Sequence, residues 1–183
     1  MMAEVSEAEA RARRIPAYAL LRAAVAQDAD AAVLLVDQAR KAGTLDLLAF
    51  NVAHVAARAM LGAEGYDVAK VSAGPGFLDG RGGTWRPVPT RADSMTPGQL
   101  ATEEAKTART VAAYAMVRAM LARDTWTMAR ILDRWAAGPG TEGIDFAAAV
   151  AGAGAALAIG LAGGNRDRAL SEADKALAAA LAR

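Results

Sequence analysis

Cysteine is absent from the 183-residue chain, and histidine occurs once, as His54. The first absence excludes disulfides, thiolate zinc sites and a thiol nucleophile. The second excludes a metal site or proton relay built from two imidazoles of one chain. Charge of one sign is also missing: Lys+Arg number 21 and Asp+Glu 20, a formal net charge of +1. That balance gives no electrostatic footprint for nucleic acid or an anionic membrane surface. Val, Ile and Thr total only 26 residues, too few for an all-β fold. Residues 1–14 carry Glu4, Glu7, Glu9, Arg11, Arg13 and Arg14 and no apolar stretch, so they do not read as a signal peptide. A reducing cytoplasm is the expected location.

What the chain has in abundance is alanine. Residues counted as hydrophobic make up 54%, but 50 of those 99 are alanine, and Leu, Ile, Val and Phe together number 36. So few large apolar residues would signal disorder if net charge were high, which it is not. Alanine is the best helix former and a poor filler of cores. The composition therefore predicts an all-α protein whose helices pack closely through small side chains.

Glycine and proline divide the chain. Residues 62–98 hold 12 of the 23, and the densest run is SAGPGFLDGRGGTWRPVPTRADSMTPG, from Ser72 to Gly98. Such punctuation predicts a long irregular connector over 63–95, flanked by a helical lobe over 1–62 and another over 96–183, the two packing as one domain. In the first lobe, Ser6 and Glu9 form a capping-box pattern, and Pro16 should kink or restart the helix that follows. Tyr18, Leu21 and Val25 share a stripe. Asp28 can cap a second helix ending at Gly43, and Thr44 a third carrying Leu45, Leu48, Val52 and Val55 and ending at Gly62. In the second lobe, Thr96-Pro97-Gly98-Gln99 is a start signal for a helix running to about Arg123. Asp124 or Thr125 opens the next, ending at Ala137, and Thr141 or Asp145 a third. A terminal helix spans 167–183 after Gly163-Gly164-Asn165.

The lobes match each other. Shifted by 96 residues, AYALLRAAVAQD falls on AYAMVRAMLARD, and 11 of 36 positions from Ser6 to Lys41 are identical. Five are alanines. The rest are Glu7/Glu103, Arg13/Arg109, Tyr18/Tyr114, Arg22/Arg118, Asp28/Asp124 and Asp37/Asp133. Three added residues near Gly138 to Gly143 then set Asp46 on Asp145. The pattern predicts a duplicated three-helix unit, forming two pseudo-symmetric lobes, plus a C-terminal helix. A unit of this size buries too little surface to be secure alone, so the copies should pack together. Period and copy number do not fit tetratricopeptide or ankyrin arrays.

Tyr18 and Arg22 share a helix face, as do Tyr114 and Arg118. An antiparallel hairpin would pair Arg22 with Asp37 and Arg118 with Asp133, with each Tyr ring beside the Arg stem. These are read as structural ion pairs, against the alternative of an anion- or partner-binding patch.

Asn51, His54 and Arg58 lie on one stripe that becomes Val150, Ala153 and Leu157 in the second lobe. A solvated face is the simpler reading, and a partner- or ligand-contacting patch the sharper one. Acid–base work by His54 has no positioned nucleophile beside it.

Phe146 to Asn165 contains no charge and is long enough to span a bilayer, with a Gly160/Gly164 pair. Its alanine and glycine content points instead to a buried central helix. Gly152-Ala-Gly154-Ala-Ala-Leu157 mimics part of a dinucleotide fingerprint but lies inside a helix with no strand before it.

Trp85-Arg86-Pro87-Val88-Pro89 favours polyproline II, either as a tether or as an arm that docks on another chain. Met116, Met120, Trp126, Met128 and Trp135 gather in the second lobe, as a bulkier core or as a surface for partners or an apolar ligand.

The function expected from these features is non-enzymatic: a protein-interaction or assembly module that self-associates into a homo-oligomer or larger assembly, with no metal, cofactor or membrane partner. The alternative is a regulator binding an apolar small ligand between or within the lobes. Candidate contact residues are Asn51, His54, Arg58, Trp85, Arg86, Met116, Met120, Trp126 and Trp135.

Overall fold

The structure, a computed structural model, describes residues 10, 12–61, 76–78, 85–87, 97–136 and 142–182, with backbone alone for 76–78, 85–87 and 97–104. The described residues include helices α1 (Ile15–Ala26), α2 (Ala29–Lys41), α3 (Leu45–Leu61), α4 (Pro97–Ala122), α5 (Thr125–Trp135), α6 (Glu142–Leu161) and α7 (Arg166–Leu181). The protein is all-α apart from a small antiparallel ribbon between β1 (Gly76–Leu78) and β2 (Trp85–Pro87), in which Phe77 faces Arg86. Trp85–Pro87 is thus a paired strand and not a lone polyproline segment, because the connector supplies its own partner. The side chains of Trp85 and Arg86, the Ser6/Glu9 box, Gly62, the Thr96 cap, residues 137–141 and the rest of the connector lie outside the described residues.

Local chemistry explains the helix ends. Pro16 sits in the first turn of α1, where its missing N–H costs nothing, so it restarts the helix and does not kink one. Gln27 then takes a left-handed φ of 58°, and the Asp28 carboxylate accepts from the Ala31 N–H at 3.0 Å. The α4–α5 turn repeats this construction: Arg123 has φ 55°, and Asp124 accepts from the Thr127 N–H at 3.0 Å and from its hydroxyl at 2.7 Å. These hydrogen bonds hold the Asp124 carboxyl below its usual range. Gly43, at φ 66°, follows α2, and Asn165 caps α7 by accepting from the Arg168 N–H. Thr44 departs from expectation. Its hydroxyl donates to the Ala39 carbonyl at 3.4 Å and closes α2 rather than capping α3.

Helix α6 is the centre of the bundle. Its largest contact is with α3, and it also packs on α4 and α1. By length and composition Glu142–Leu161 could cross a membrane, but here Phe146, Ala147, Val150, Ala151 and Leu157 are buried against other helices. The two halves interlock, since α1 touches α6 about as extensively as α4 touches α3. One continuous core results, with Leu20, Val25, Val52 and Met60 from the first half and Met116, Val117, Phe146, Val150 and Leu157 from the second.

Alanine supplies 15 of the 31 buried hydrophobic residues among those described, so helix contacts here are backbone-close. On α6 a Cβ at Gly143 would stand 2.7 Å from the Ala136 carbonyl oxygen just after α5, and the close approach to α1 and α3 is at Gly154. A Cβ there would stand 3.0 Å from Leu21 Cδ1 and 3.2 Å from Ala56 Cβ.

Helix α7 follows the second half in sequence but packs chiefly on α1. Arg22 Nε donates to Asp174 at 2.8 Å, and Arg166 donates to the Gln27 side chain at 2.9 Å. The terminal helix thereby covers the side of α1 that carries Tyr18 and Arg22.

Candidate functional site

Where α7 leans across α1, it also faces the C-terminal parts of α3 and α6. The four helices leave a cleft of about 540 Å³. Its walls are aliphatic: Leu21 from α1, Val55 and Ala59 from α3, Leu161 and Ala162 at the end of α6, and Ala169, Ala173 and Ala176 from α7. The alanines at 169, 173 and 176 recur at helical spacing and present one smooth side. Among the described residues four polar side chains share the cleft: Tyr18, Arg58, Arg168 and Glu172. The Glu172 carboxylate accepts from Lys175 Nζ at 2.8 Å, and this bond, with the Lys175 and Arg168 charges, holds its carboxyl below the usual range. Arg58 makes no hydrogen bond or ion pair among the described residues.

The polar stripe of α3 runs from core to surface and is not a solvated face. Asn51 is 6% exposed, and its amide donates to the Arg13 carbonyl at 3.1 Å, tying α3 to the residues just before α1. His54 is half-buried one turn further on, and Arg58 is exposed at the cleft. Burial lowers the His54 pKa below the ordinary imidazole value, and the nearby Arg14 and Arg58 charges lower it further. The folded state therefore favours the neutral ring. The stability this contributes is present above the unfolded value of 6.5 and is lost as pH falls through the lowered value. Because His54 is the sole histidine, one proton NMR titration reads it directly. The midpoint is expected below 6.5. It should rise only partly in Arg58→Gln, since burial is the larger cause. A wild-type midpoint at or above 6.5 would contradict this placement.

No family model, curated protein or solved structure matches the chain. The site rests on its own geometry.

The second-lobe Met and Trp residues do not come together as one pocket. Met116 is fully buried, and Met120 and Trp135 are partly buried against the core. The Trp135 ring stacks near Phe146, centroids 6.3 Å apart and planes 20° apart. Trp126 is 67% exposed, with the Arg130 guanidinium 4.6 Å from its ring centroid. Both tryptophans nonetheless line one shallow groove along α5, with Arg130, Ile131 and Arg134 and without Met116 or Met120.

The expected ion pairs also differ. Arg22 pairs with Asp174, not Asp37, because α7 lies over α1. Asp37 instead takes Arg40 and Lys41 from its own helix, at 2.7 and 2.6 Å. Arg118 and Asp133 are both exposed and form no ion pair among the described residues. Of the Tyr18/Tyr114 pair, Tyr18 is half-buried at the cleft, while Tyr114 is buried and its hydroxyl is pushed up to about 12 by desolvation. Sequence reading missed the pair Arg109–Asp145 at 3.1 Å, which links α4 to α6. The repeat held its only signal, since Arg109 aligns with Arg13 and Asp145 with Asp46. No cluster of three metal-ligating side chains occurs among the described residues.

Proposed function

We propose that this protein is a non-enzymatic assembly module that joins copies of itself head to tail through α2 and α5. The observation that carries this reading is the pair of unequal exposed faces on those helices. On α2, Val33 and Leu34 are 68% and 58% exposed beside the exposed carboxylate of Asp30. On α5, Trp126 is 67% exposed with Arg130 stacked over it. Large apolar groups left in water beside complementary charge are what protein interfaces are made of.

A duplicated three-helix unit gives these faces their geometry. Its supports are the 96-residue repeat, the matching Gln27-Asp28 and Arg123-Asp124 turns, and the balanced α1–α6 and α4–α3 contacts. Under that relation Asp30 corresponds to Trp126 and Leu34 to Arg130. The equivalent faces have thus diverged into an acidic aliphatic one and a basic aromatic one. A face that complements its counterpart, not itself, makes heterologous contacts and yields rings or filaments.

Sedimentation of purified variants tests this. Leu34→Asp and Trp126→Ala should each be monomeric where the wild type associates. Mixed together, each still offers one intact face, so they should form a one-to-one dimer and nothing larger. A wild type that stays monomeric at high concentration rejects self-association, and a mixture that stays monomeric rejects the head-to-tail arrangement.

The cleft favours a second role, a regulator that binds an apolar small ligand. Its volume lies within the range of ~300–1,000 Å³ usual for such sites. Its place is between α1, α3, α6 and α7, with Arg58 on its wall, and not beside Met116, Met120, Trp126 and Trp135.

A further inference from the structure

The geometry points to the cleft between α1, α3, α6 and α7 as a binding site for an aliphatic carboxylate, an apolar chain carrying one anionic head. This rests on the ligand-binding reading of the cleft and is independent of self-association. The body of the ligand follows from the walls. Leu21, Val55 and Leu161 face the alanines of α7, and Tyr18 is the sole aromatic lining the cleft among the described residues. Such a surface rewards a flexible hydrocarbon chain, which gains from apolar contact alone, over a flat ring that needs stacking partners.

The head follows from the charges. Among the described residues Arg58 and Arg168 line the cleft against one carboxylate, Glu172, so these groups sum to a single positive charge. Glu172 is already held by Lys175, whereas Arg58 has no polar partner among the described residues. A guanidinium presents paired donors that match a carboxylate. Glu172 also stands against a second negative charge on the head, which favours a monoanion. In the corresponding place of the second half, Leu157 replaces Arg58 and is buried in the core. The chain thus has a cation at a cleft mouth in one copy and sealed packing in the other.

Titration calorimetry on the full chain with octanoate, 1-octanol and acetate tests the assignment. Octanoate should bind one per chain, with 1-octanol at least tenfold weaker and acetate not detected. Arg58→Gln, a substitution at an exposed position, should weaken octanoate at least tenfold and leave 1-octanol unchanged. Arg168→Gln should act in the same direction. Ala173→Phe, which fills the cleft, should remove both ligands, with circular dichroism checking that each variant keeps its helices. Octanoate binding no tighter than 1-octanol, or unaltered by both Arg58→Gln and Arg168→Gln, overturns the carboxylate assignment while an apolar site survives. Binding of neither octanoate nor 1-octanol overturns the site itself.

Discussion

Replacing Phe146 by alanine should lower the free energy of unfolding by about 3–5 kcal/mol. Phe146 is the largest fully buried side chain among the described residues. Its loss removes transfer energy and leaves a cavity, and the cost depends on how far the surroundings collapse. Here collapse is limited, because so many neighbouring core positions are alanines with no rotamers to swing into a void. The truncation also removes the ring stacked near Trp135, one of the few side chains of α5 that packs on the core. Helix α5 should therefore loosen ahead of the rest, with faster amide exchange there than in α3. The matching residue of the first half, Leu47, is 36% exposed, and Leu47→Ala should cost under about 1 kcal/mol. Urea unfolding of the two variants measures the contrast. Equal losses would mean that Phe146 does not anchor the second half.

The helix ends were legible because they are set by local chemistry. Asp28 and Asp124 cap as their positions predict, and Gly163-Gly164-Asn165 separates α6 from α7. Pro16 was ambiguous between kink and restart, and only the start of α1 at Ile15 decides it. The ion pairs were illegible for a different reason. Arg22 reaches Asp174 across 152 positions, and nothing local specifies that α7 crosses back onto α1. The same crossing makes the cleft, so its position could not be read from any one segment. Of its polar side chains, Arg58 was marked by a polar stripe that turns apolar in the repeat, and Tyr18 only as the neighbour of Arg22 on a helix face. Met116 shows the limit set by alanine. Helix α4 is alanine-rich, so its apolar stripe has no sharp edge at Met116, whereas α5 holds one alanine and its stripe of Met128, Ile131, Leu132 and Trp135 leaves Trp126 on the polar side with Arg130 and Arg134.

Gly154→Val should destabilise the fold by about 3 kcal/mol, at the upper end of the usual cost of overpacking. Two glycines in one helix make the comparison clean. Gly152 and Gly154 both interrupt α6 and carry the same intrinsic penalty there, ~1 kcal/mol relative to alanine. Nothing lies within 4 Å of a Cβ built on Gly152, whereas one on Gly154 meets Leu21 Cδ1 at 3.0 Å and Ala56 Cβ at 3.2 Å. The Leu21 methyl ends a flexible side chain and can give way. Ala56 Cβ is fixed to the backbone of α3, so only a shift of a helix can relieve it. Gly152→Ala should then stabilise the protein by about 0.5–1 kcal/mol, the full propensity gain. Gly154→Ala should fall within about 1 kcal/mol of neutral, its propensity gain offset by the tight contact. The added methyls of valine leave no such balance, because they must push α6 from α1 and α3 along the longest contact in the bundle. Thermal unfolding of the four variants, with Gly152→Val as the fourth, orders them. If Gly154→Val costs no more than Gly152→Val, the helices do not meet as closely as these distances state. The resemblance of this segment to a dinucleotide fingerprint then has its explanation in packing, since the buried glycine of the motif is the one where three helices converge.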